Sequence, residues 1–460
     1  MDNKKTDLLI IGAGPGGYVS AIYAAKKGLN VTLVDAKWVG GTCLNVGCIP
    51  TKALVKSAEL YQEILHSEHN GIFLENPSIN LGIIIDKKDE VKEKLVTGVA
   101  FLLEKYGVTV IHGFAKFLND KEVSVNDDIY TAKNIIIATG SKTKHLNFPG
   151  NDLAIDSEVL LNNKELPKTL AIIGGGVIGM EFAFIYASFG VAVTVIEFLP
   201  RVLPGVDKEF SSRLMRFAKQ LNITILNNAG VTEIKEENGL KTVMFTQKDK
   251  EKVVQADMVL EAVGRVPMID NLGLENTKIL HDFRSGVSVD SHMLTNVANI
   301  YAIGDVTNII QLAHVASHQG LVAVDNILGK DREMNYDAIP AVIFTTPTIA
   351  TVGKTEAMCK EEEIDYEVVK VPYTANGKAL IMEAEAGYMK LLRDTSSKKL
   401  IGAMIFGKDA DNLIATVTLA ITKGLSAEDL QETVFAHPTV QELVHEAAMG
   451  LDQFGIHFLN

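Results

Sequence analysis

The sequence predicts an α/β protein: two copies of one strand-turn-helix plan followed by a C-terminal α+β domain. A glycine-rich turn between an apolar strand and a helix occurs twice with the same downstream spacing, and from about Tyr336 the chain turns to short strands with helices between and after them. At 460 residues the chain can hold about three domains, each with its own core.

The first copy opens with the apolar strand from Leu8, runs into Gly12-Ala13-Gly14-Pro15-Gly16-Gly17, continues as a helix through Ala24, and returns as the strand Val31 to Val34, ending at Asp35. In the second copy, Leu170 to Ile173 lead into Gly174-Gly175-Gly176-Val177-Ile178-Gly179, a helix follows, and Val191 to Ile196 ends at Glu197. In both copies the acid lies 23 positions after the first glycine. That spacing has a physical reason: glycines let the backbone approach a pyrophosphate at a helix N-terminus, while the acid at the end of the second strand accepts hydrogen bonds from a ribose. The residues assigned to this work are Gly12, Gly14, Gly17 and Asp35 in one copy and Gly174, Gly176, Gly179 and Glu197 in the other. Both copies are therefore read as Rossmann-like dinucleotide-binding domains.

Between them, Cys43 and Cys48 lie five positions apart in Gly41-Thr42-Cys43-Leu44-Asn45-Val46-Gly47-Cys48. In a regular helix that step separates two side chains by about 140° and roughly 7.5 Å along the axis, beyond the reach of a disulfide. The backbone must depart from helical form for the pair to bond, and Gly47 permits this. So short a loop restrains the unfolded chain little, so reversible opening explains the pair better than stapling does. A helical pattern from Pro50 to Ser67 follows.

The parallel between the copies continues. A hairpin around Asn126-Asp127-Asp128 and the strand Ile135 to Ile137 end in Ala138-Thr139-Gly140, matched by a hairpin at Asn238-Gly239 and by Met258 to Leu260 ending in Ala262-Val263-Gly264. Asn299 to Asp305 reads as a further buried strand with an acid at its tip, followed by a helix from Leu312. In the last part Val342 to Phe344, Thr348 to Val352, Tyr388 to Leu392 and Leu400 to Phe406 are expected strands. The expected domain bounds are 1–145 and 267–335 for the first nucleotide domain with its central continuation, 146–266 for the second, and 336–460 for the last.

Composition excludes other classes. A net charge of −13 and a pI near 5.4 argue against a nucleic-acid partner. Three cysteines in so long a chain point to a reducing compartment, where a close pair is catalytic more often than structural. Leu170 to Ile196 is almost wholly apolar, but its glycines and Glu181 argue against a membrane span. A metal site would want four clustered Cys or His ligands, and the third cysteine, Cys359, lies in a charged stretch and is read as a spectator on a surface helix. These features give a cytoplasmic reading.

Gly40-Gly41-Thr42-Cys43-Leu44-Asn45-Val46-Gly47-Cys48-Ile49-Pro50-Thr51-Lys52, with the two fingerprints, resembles the FAD-dependent pyridine nucleotide-disulfide oxidoreductases over essentially the whole chain. The closest likeness is to the branch that oxidises protein-bound dihydrolipoamide. The resemblance implies FAD at the first fingerprint, NAD at the second, and contacts to the flavin from Lys52, Thr139, Gly140, Asp305 and Ala313. Gly264 would serve the second site, and the last domain would form a homodimer. It also implies that Cys43 exchanges with the substrate sulfur, that Cys48 sits against the flavin, and that Lys52 pairs with Glu181. Because Leu8 already begins the first strand, the lipoyl group is expected on a partner protein of a 2-oxo acid dehydrogenase or glycine cleavage system. Glu197 favours NAD, since it would repel a 2′-phosphate; Arg201 is the nearest cation that could offset it.

Phe435-Ala436-His437-Pro438-Thr439-Val440-Gln441-Glu442 supplies the acid-base candidate. By resemblance His437 is the base and Glu442 its orienting partner. Thr439 and Glu442 also read as a capping box opening a helix toward Gly450. Two positions depart from the branch: Phe435 stands where a second histidine is common, and Thr346-Pro347 replaces His-Pro. The rival readings are a glutathione reductase-like enzyme drawing on NADPH, and a redox-sensing scaffold with an incidental flavin.

Overall fold

Apolar runs bounded by glycine become parallel strands, and helices cover them. The computed structural model describes residues 3–459. It divides into one unit holding residues up to Ser57, Ile72–Pro167 and Val259–Asn335, and another holding Ala58–Gly71, Lys168–Met258 and the residues from Tyr336 on.

In the first unit Thr109–His112, Val31–Asp35, Asn3–Ile11 and Asp128–Ile137 pair side by side in parallel. Ile300–Ala302 extends the sheet in parallel beyond Asp128–Ile137, and Glu122–Val125 and Ala115–Phe117 extend it antiparallel. The central strand buries Leu8, Leu9, Ile10 and Ile11 on both faces, which is why it reads as a continuous apolar run rather than an alternation. The fingerprint helix Pro15–Lys26 packs on Ala313–Ile327, and the crossing is close: a Cβ on Gly320 would fall 2.1 Å from Ser20 Oγ. Leu312 is the cap of that second helix rather than its first turn.

In the second unit Thr224–Leu226, Ala192–Ile196 and Thr169–Ile173 pair in parallel, and Ala229–Glu237, Leu240–Gln247 and Lys250–Ala256 form an antiparallel meander. The predicted turn at Asn238-Gly239 has both residues at positive φ, 55° and 79°, as a two-residue hairpin needs. A second such turn at Lys248-Asp249, φ 53° and 59°, was not expected. The C-terminal part is one antiparallel sheet ordered Ala341–Ile343, Ile349–Gly353, Leu400–Phe406, Tyr388–Asp394 and Tyr366–Pro372. The helices Ala410–Lys423 and Glu442–Leu451 share a core with it. Cys359 departs from its reading: the helix Glu356–Glu361 turns it inward and buries it completely. Among the described residues no helix is long and apolar enough to cross a membrane, and no cluster of three or more His, Cys, Asp or Glu could hold a metal.

Candidate active site

The two fingerprints repeat atom for atom. Gly12 N donates to Val34 O at 2.7 Å and Gly174 N to Ile196 O at 2.9 Å. Ala13 N donates to Asp35 Oδ2 at 2.6 Å and Gly175 N to Glu197 Oε2 at 2.5 Å. The second oxygen of each acid accepts from the loop beyond it, Asp35 from Lys37 N and Trp38 N, Glu197 from Leu199 N. Each carboxylate thus first fixes its own fingerprint loop, which sequence reasoning had not assigned it.

The three glycines of each fingerprint divide their work in the same way. Gly12 and Gly174 sit at φ 106° and 107°, a region that favours glycine. A Cβ on Gly17 would lie 1.8 Å from Gly12 O, and one on Gly179 2.0 Å from Gly174 O, so the third glycine lets helix and strand meet. The middle glycine differs. A Cβ on Gly14 would meet nothing nearer than Gly41 Cα at 4.0 Å, and one on Gly176 nothing within 4 Å. The helices Pro15–Lys26 and Val177–Ser188 begin directly after these open positions, and neither has a side-chain cap. Free N-terminal N–H groups beside an open cradle suit a pyrophosphate, so the residues present fit a dinucleotide in both halves.

The dithiol segment is seated on the first fingerprint. Gly40 N donates to Ala13 O at 2.8 Å, and a Cβ on Gly41 would lie 2.5 Å from Gly14 Cα. Cys43 lies in the helix Gly41–Val46, whereas Cys48 opens a separate helix, Cys48–Leu65. Gly47, at φ −140° and ψ −110°, is the break between them, the departure from helical form that the spacing demands. No disulfide joins the pair. Its side-chain hydrogen bond to Cys48, together with burial and the Cys48 charge, pushes the Cys43 thiol up, while the Lys52 charge pulls it down.

Around the same sheet end, Thr139 Oγ1 donates to Met268 O, and Gly140 is at φ 74°. Ser141 Oγ donates to Asp305 Oδ2 at 2.6 Å and accepts from Arg265 Nε at 2.7 Å. Burial raises the Asp305 pKa above the usual carboxylate range, opposed by Ser141 and by the charge of Arg265. Gly304 N donates to Gln319 Oε1 at 2.6 Å, and Ala313 is the first residue of the helix that Gln319 stands on. Ser141 and Arg265 were missed in the sequence. The available signal was that they follow the two closing glycines, Gly140 and Gly264, in parallel positions.

His437 and Glu442 lie in the second unit. His437 Nδ1 is 3.0 Å from Glu442 Oε1, and Thr439 N donates to Glu442 Oε2 at 2.9 Å. Burial alone would raise the Glu442 pKa, but the Thr439 N–H, the His437 hydrogen bond and the nearby imidazoles hold it below the usual range. An ionised carboxylate only accepts, so Nδ1 carries the proton of this bond, and in the neutral ring Nε2 is then the accepting nitrogen. The expected capping box does not form: the helix Glu442–Leu451 starts three residues later than Thr439, its cap Gln441 makes no side-chain capping bond, and Thr439 Oγ1 donates to Ala436 O. Glu442 instead holds the imidazole with one oxygen and the Thr439 N–H of the preceding turn with the other. His437 itself is 79% exposed at its side chain. Lys52 stands one turn after Cys48 on the same helix. Glu181, in the second unit, is buried and accepts from Phe344 N at 3.0 Å.

Residues 6–320 match the family model for pyridine nucleotide-disulphide oxidoreductase, and residues 339–448 match the dimerisation domain of the same family. The chain is similar to the dihydrolipoyl dehydrogenase of Bacillus subtilis, 44% identical over 96% of each chain, and to that of Geobacillus stearothermophilus, 41% identical over 96% of each. Among solved structures it resembles LpdA from Mycobacterium tuberculosis, with TM-score 0.91, 26% identity and coverage of 97% of this chain and 99% of that one. It also resembles the HOCl-induced flavoprotein disulfide reductase of Escherichia coli, with TM-score 0.86, 30% identity and coverage of 96% and 99%.

Proposed function

The chain belongs to the pyridine nucleotide-disulphide oxidoreductase family, whose enzymes use FAD and NAD(H), and we propose that it is a cytoplasmic, homodimeric dihydrolipoyl dehydrogenase. Its reaction would oxidise dihydrolipoamide carried by a partner protein of a 2-oxo acid dehydrogenase or glycine cleavage system and reduce NAD. The observation that carries the reading is the dithiol helix seated on the first fingerprint loop, Gly41 against Gly14. We assign FAD to residues 1–145 with 267–335, held by Gly12, Gly14, Gly17, Asp35, Lys52, Thr139, Gly140, Asp305 and Ala313. NAD falls to residues 146–266, held by Gly174, Gly176, Gly179, Glu197 and Gly264, and residues 336–460 form the dimer interface.

The residues divide the chemistry as follows. His437 Nε2 takes the proton from a substrate thiol, and Glu442 holds the imidazole in the required tautomer. The substrate thiolate attacks the Cys43 sulfur of an oxidised Cys43–Cys48 pair, the Cys43–Cys48 bond breaks, and Cys48 leaves as thiolate. The second substrate thiol then displaces Cys43, so the substrate leaves as the cyclic disulfide and the pair is left with two electrons. FAD, when bound, would supply the acceptor for those electrons and the route to NAD. Lys52 places positive charge where Cys48 must remain a thiolate, and we pair it with Glu181.

NAD is favoured over NADP by two residues. Glu197 is 7% exposed with both oxygens engaged, and Arg201 is already committed to Leu203 O, Val206 O and Pro204 O, so it is not presented to a 2′-phosphate. The test is a substrate comparison. Dihydrolipoamide with NAD should turn over fastest, and faster oxidation of NADPH by glutathione disulfide would reject the reading.

A further inference from the structure

An exposed phenyl ring stands beside the acid of the second fingerprint. Phe198 directly follows Glu197, and it is 76% exposed. Its frame is nevertheless fixed: Glu197 N donates to Leu226 O at 2.8 Å, Ala229 N to Glu197 O at 2.9 Å, and Asn228 N to Leu199 O at 3.0 Å. The ring lies over Gly230, where an added Cβ would sit 3.5 Å from Phe198 Cδ2 and 3.7 Å from Cε2. The ring thus keeps most of its surface open to solvent while the backbone on both sides of it is held, so a planar ligand can reach it. An aromatic ring next to a ribose-binding carboxylate can take a base by stacking.

The first half carries the same feature from the opposite strand. Gly113 N donates to Asp35 O at 3.0 Å, as Ala229 N does to Glu197 O, so Phe114 and Gly230 hold corresponding positions. Phe114 is 77% exposed. In that half the residue after the acid is the small Ala36. Each nucleotide site therefore has one exposed phenyl ring beside its acid, supplied by Phe114 in one and by Phe198 in the other, with a small residue at the alternative position.

We propose that Phe198 is the stacking platform for the adenine of the pyridine nucleotide, a specificity residue acting on the half of the cofactor that does not react. This rests on the assignment of NAD to the second fingerprint. The loss of a base–aromatic stack corresponds to about a 5- to 150-fold change in affinity. Because the side chain is exposed, Phe198→Ala leaves the fold intact.

The test uses ADP-ribose, which carries the adenine but no reactive ring, and nicotinamide mononucleotide, which carries the reactive ring but no adenine. Calorimetric titration of the FAD-loaded enzyme with ADP-ribose should show weakening within that range for Phe198→Ala and near-wild-type affinity for Phe198→Trp. The rate of nicotinamide mononucleotide reduction by dihydrolipoamide should be the same in all three proteins. A Gly176→Ala variant, which fills the open cradle, separates the two levels of the argument. If it weakens ADP-ribose binding while Phe198→Ala does not, the platform is rejected and the NAD assignment stands. If neither variant alters ADP-ribose binding, the NAD assignment fails and the platform with it. Equal losses with ADP-ribose and with the mononucleotide would also reject the platform, since the effect would not be confined to the adenine.

Discussion

Replacing Gly14 and Gly17 in turn should separate cofactor binding from folding within six residues of chain. An alanine at 17 would put its Cβ 1.8 Å from Gly12 O and 2.9 Å from Gly12 C. Ordinary contact begins near 3.4 Å, so backbone must move by about 1.6 Å (3.4 − 1.8), more than the typical overpacking of about 1–3 kcal/mol covers. A loss of about 3 kcal/mol or more is large against a total of about 5–15 kcal/mol. In a unit of this size it corresponds to a fall in Tm of about 6–12 °C. An alanine at 14 meets nothing nearer than 4.0 Å at φ −68°, so the flavin-free protein should melt within about 2 °C of wild type. It would, however, stand in the cradle, and the loss of one or two charge-assisted hydrogen bonds should weaken flavin binding about tenfold to a hundredfold. The assay is thermal unfolding of flavin-stripped protein by circular dichroism, paired with flavin fluorescence during reconstitution. If flavin-free Gly14→Ala melts as low as Gly17→Ala, or if Gly17→Ala melts like wild type, the division of labour is wrong. The same contrast should appear with Gly176→Ala and Gly179→Ala, read by NAD affinity.

The other expected outcomes concern the dithiol, the base and the flavin-side acid. With FAD bound, Cys43→Ser should show long-wavelength absorbance without reductant, from the remaining Cys48 thiolate against the flavin, and Cys48→Ser should lack it even after reduction; identical spectra would void the assignment of roles. His437→Gln should lower kcat by about 10²- to 10⁴-fold, and mixed dimers of inactive Cys48→Ser and His437→Ala chains should regain about a quarter of wild-type activity if each site is shared across a two-fold dimer. No recovery from verified hybrids would place His437 with the dithiol of its own chain. Asp305 has a folded pKa raised by burial, so the folded state holds its proton more readily than the unfolded one. The associated stability is complete below the unfolded value near 3.9 and is lost as pH rises through the folded value. Flavin-free Asp305→Asn should therefore match wild type in acid and melt progressively higher than it as pH rises, whereas an offset independent of pH would contradict the burial argument.

What could be read from the sequence was whatever depends on local geometry. The two fingerprints, the turn at Asn238-Gly239 and the need for a backbone break at Gly47 follow from φ angles that glycine and asparagine permit and from the helical repeat, and all appear in the structure. What could not be read depends on burial decided at a distance. Cys359 sits in Glu-Ala-Met-Cys-Lys-Glu, whose charges advertise a surface helix, yet one face of that single turn is fully covered. The edge strand Tyr366–Pro372 was missed because only Val369 and Val371 in it are buried, while Glu367 and Lys370 interrupt the apolar run and Val368 is exposed. The competing readings of Glu442 were unresolved in one dimension because a carboxylate has two oxygens, and only coordinates show that each has a separate donor.

The break at Gly47 has a kinetic meaning. It places Cys48 on a rigid helix start, already hydrogen-bonded to the Cys43 thiol, so the resolving sulfur acts at an effective concentration far above the millimolar range of a flexible tether. Any stray disulfide that captures Cys43 is answered by its neighbour before another thiol from solution can arrive. Adducts with abundant small thiols should therefore be transient, and reagents that survive at this position will be those whose bond to sulfur cannot be displaced by a second thiolate.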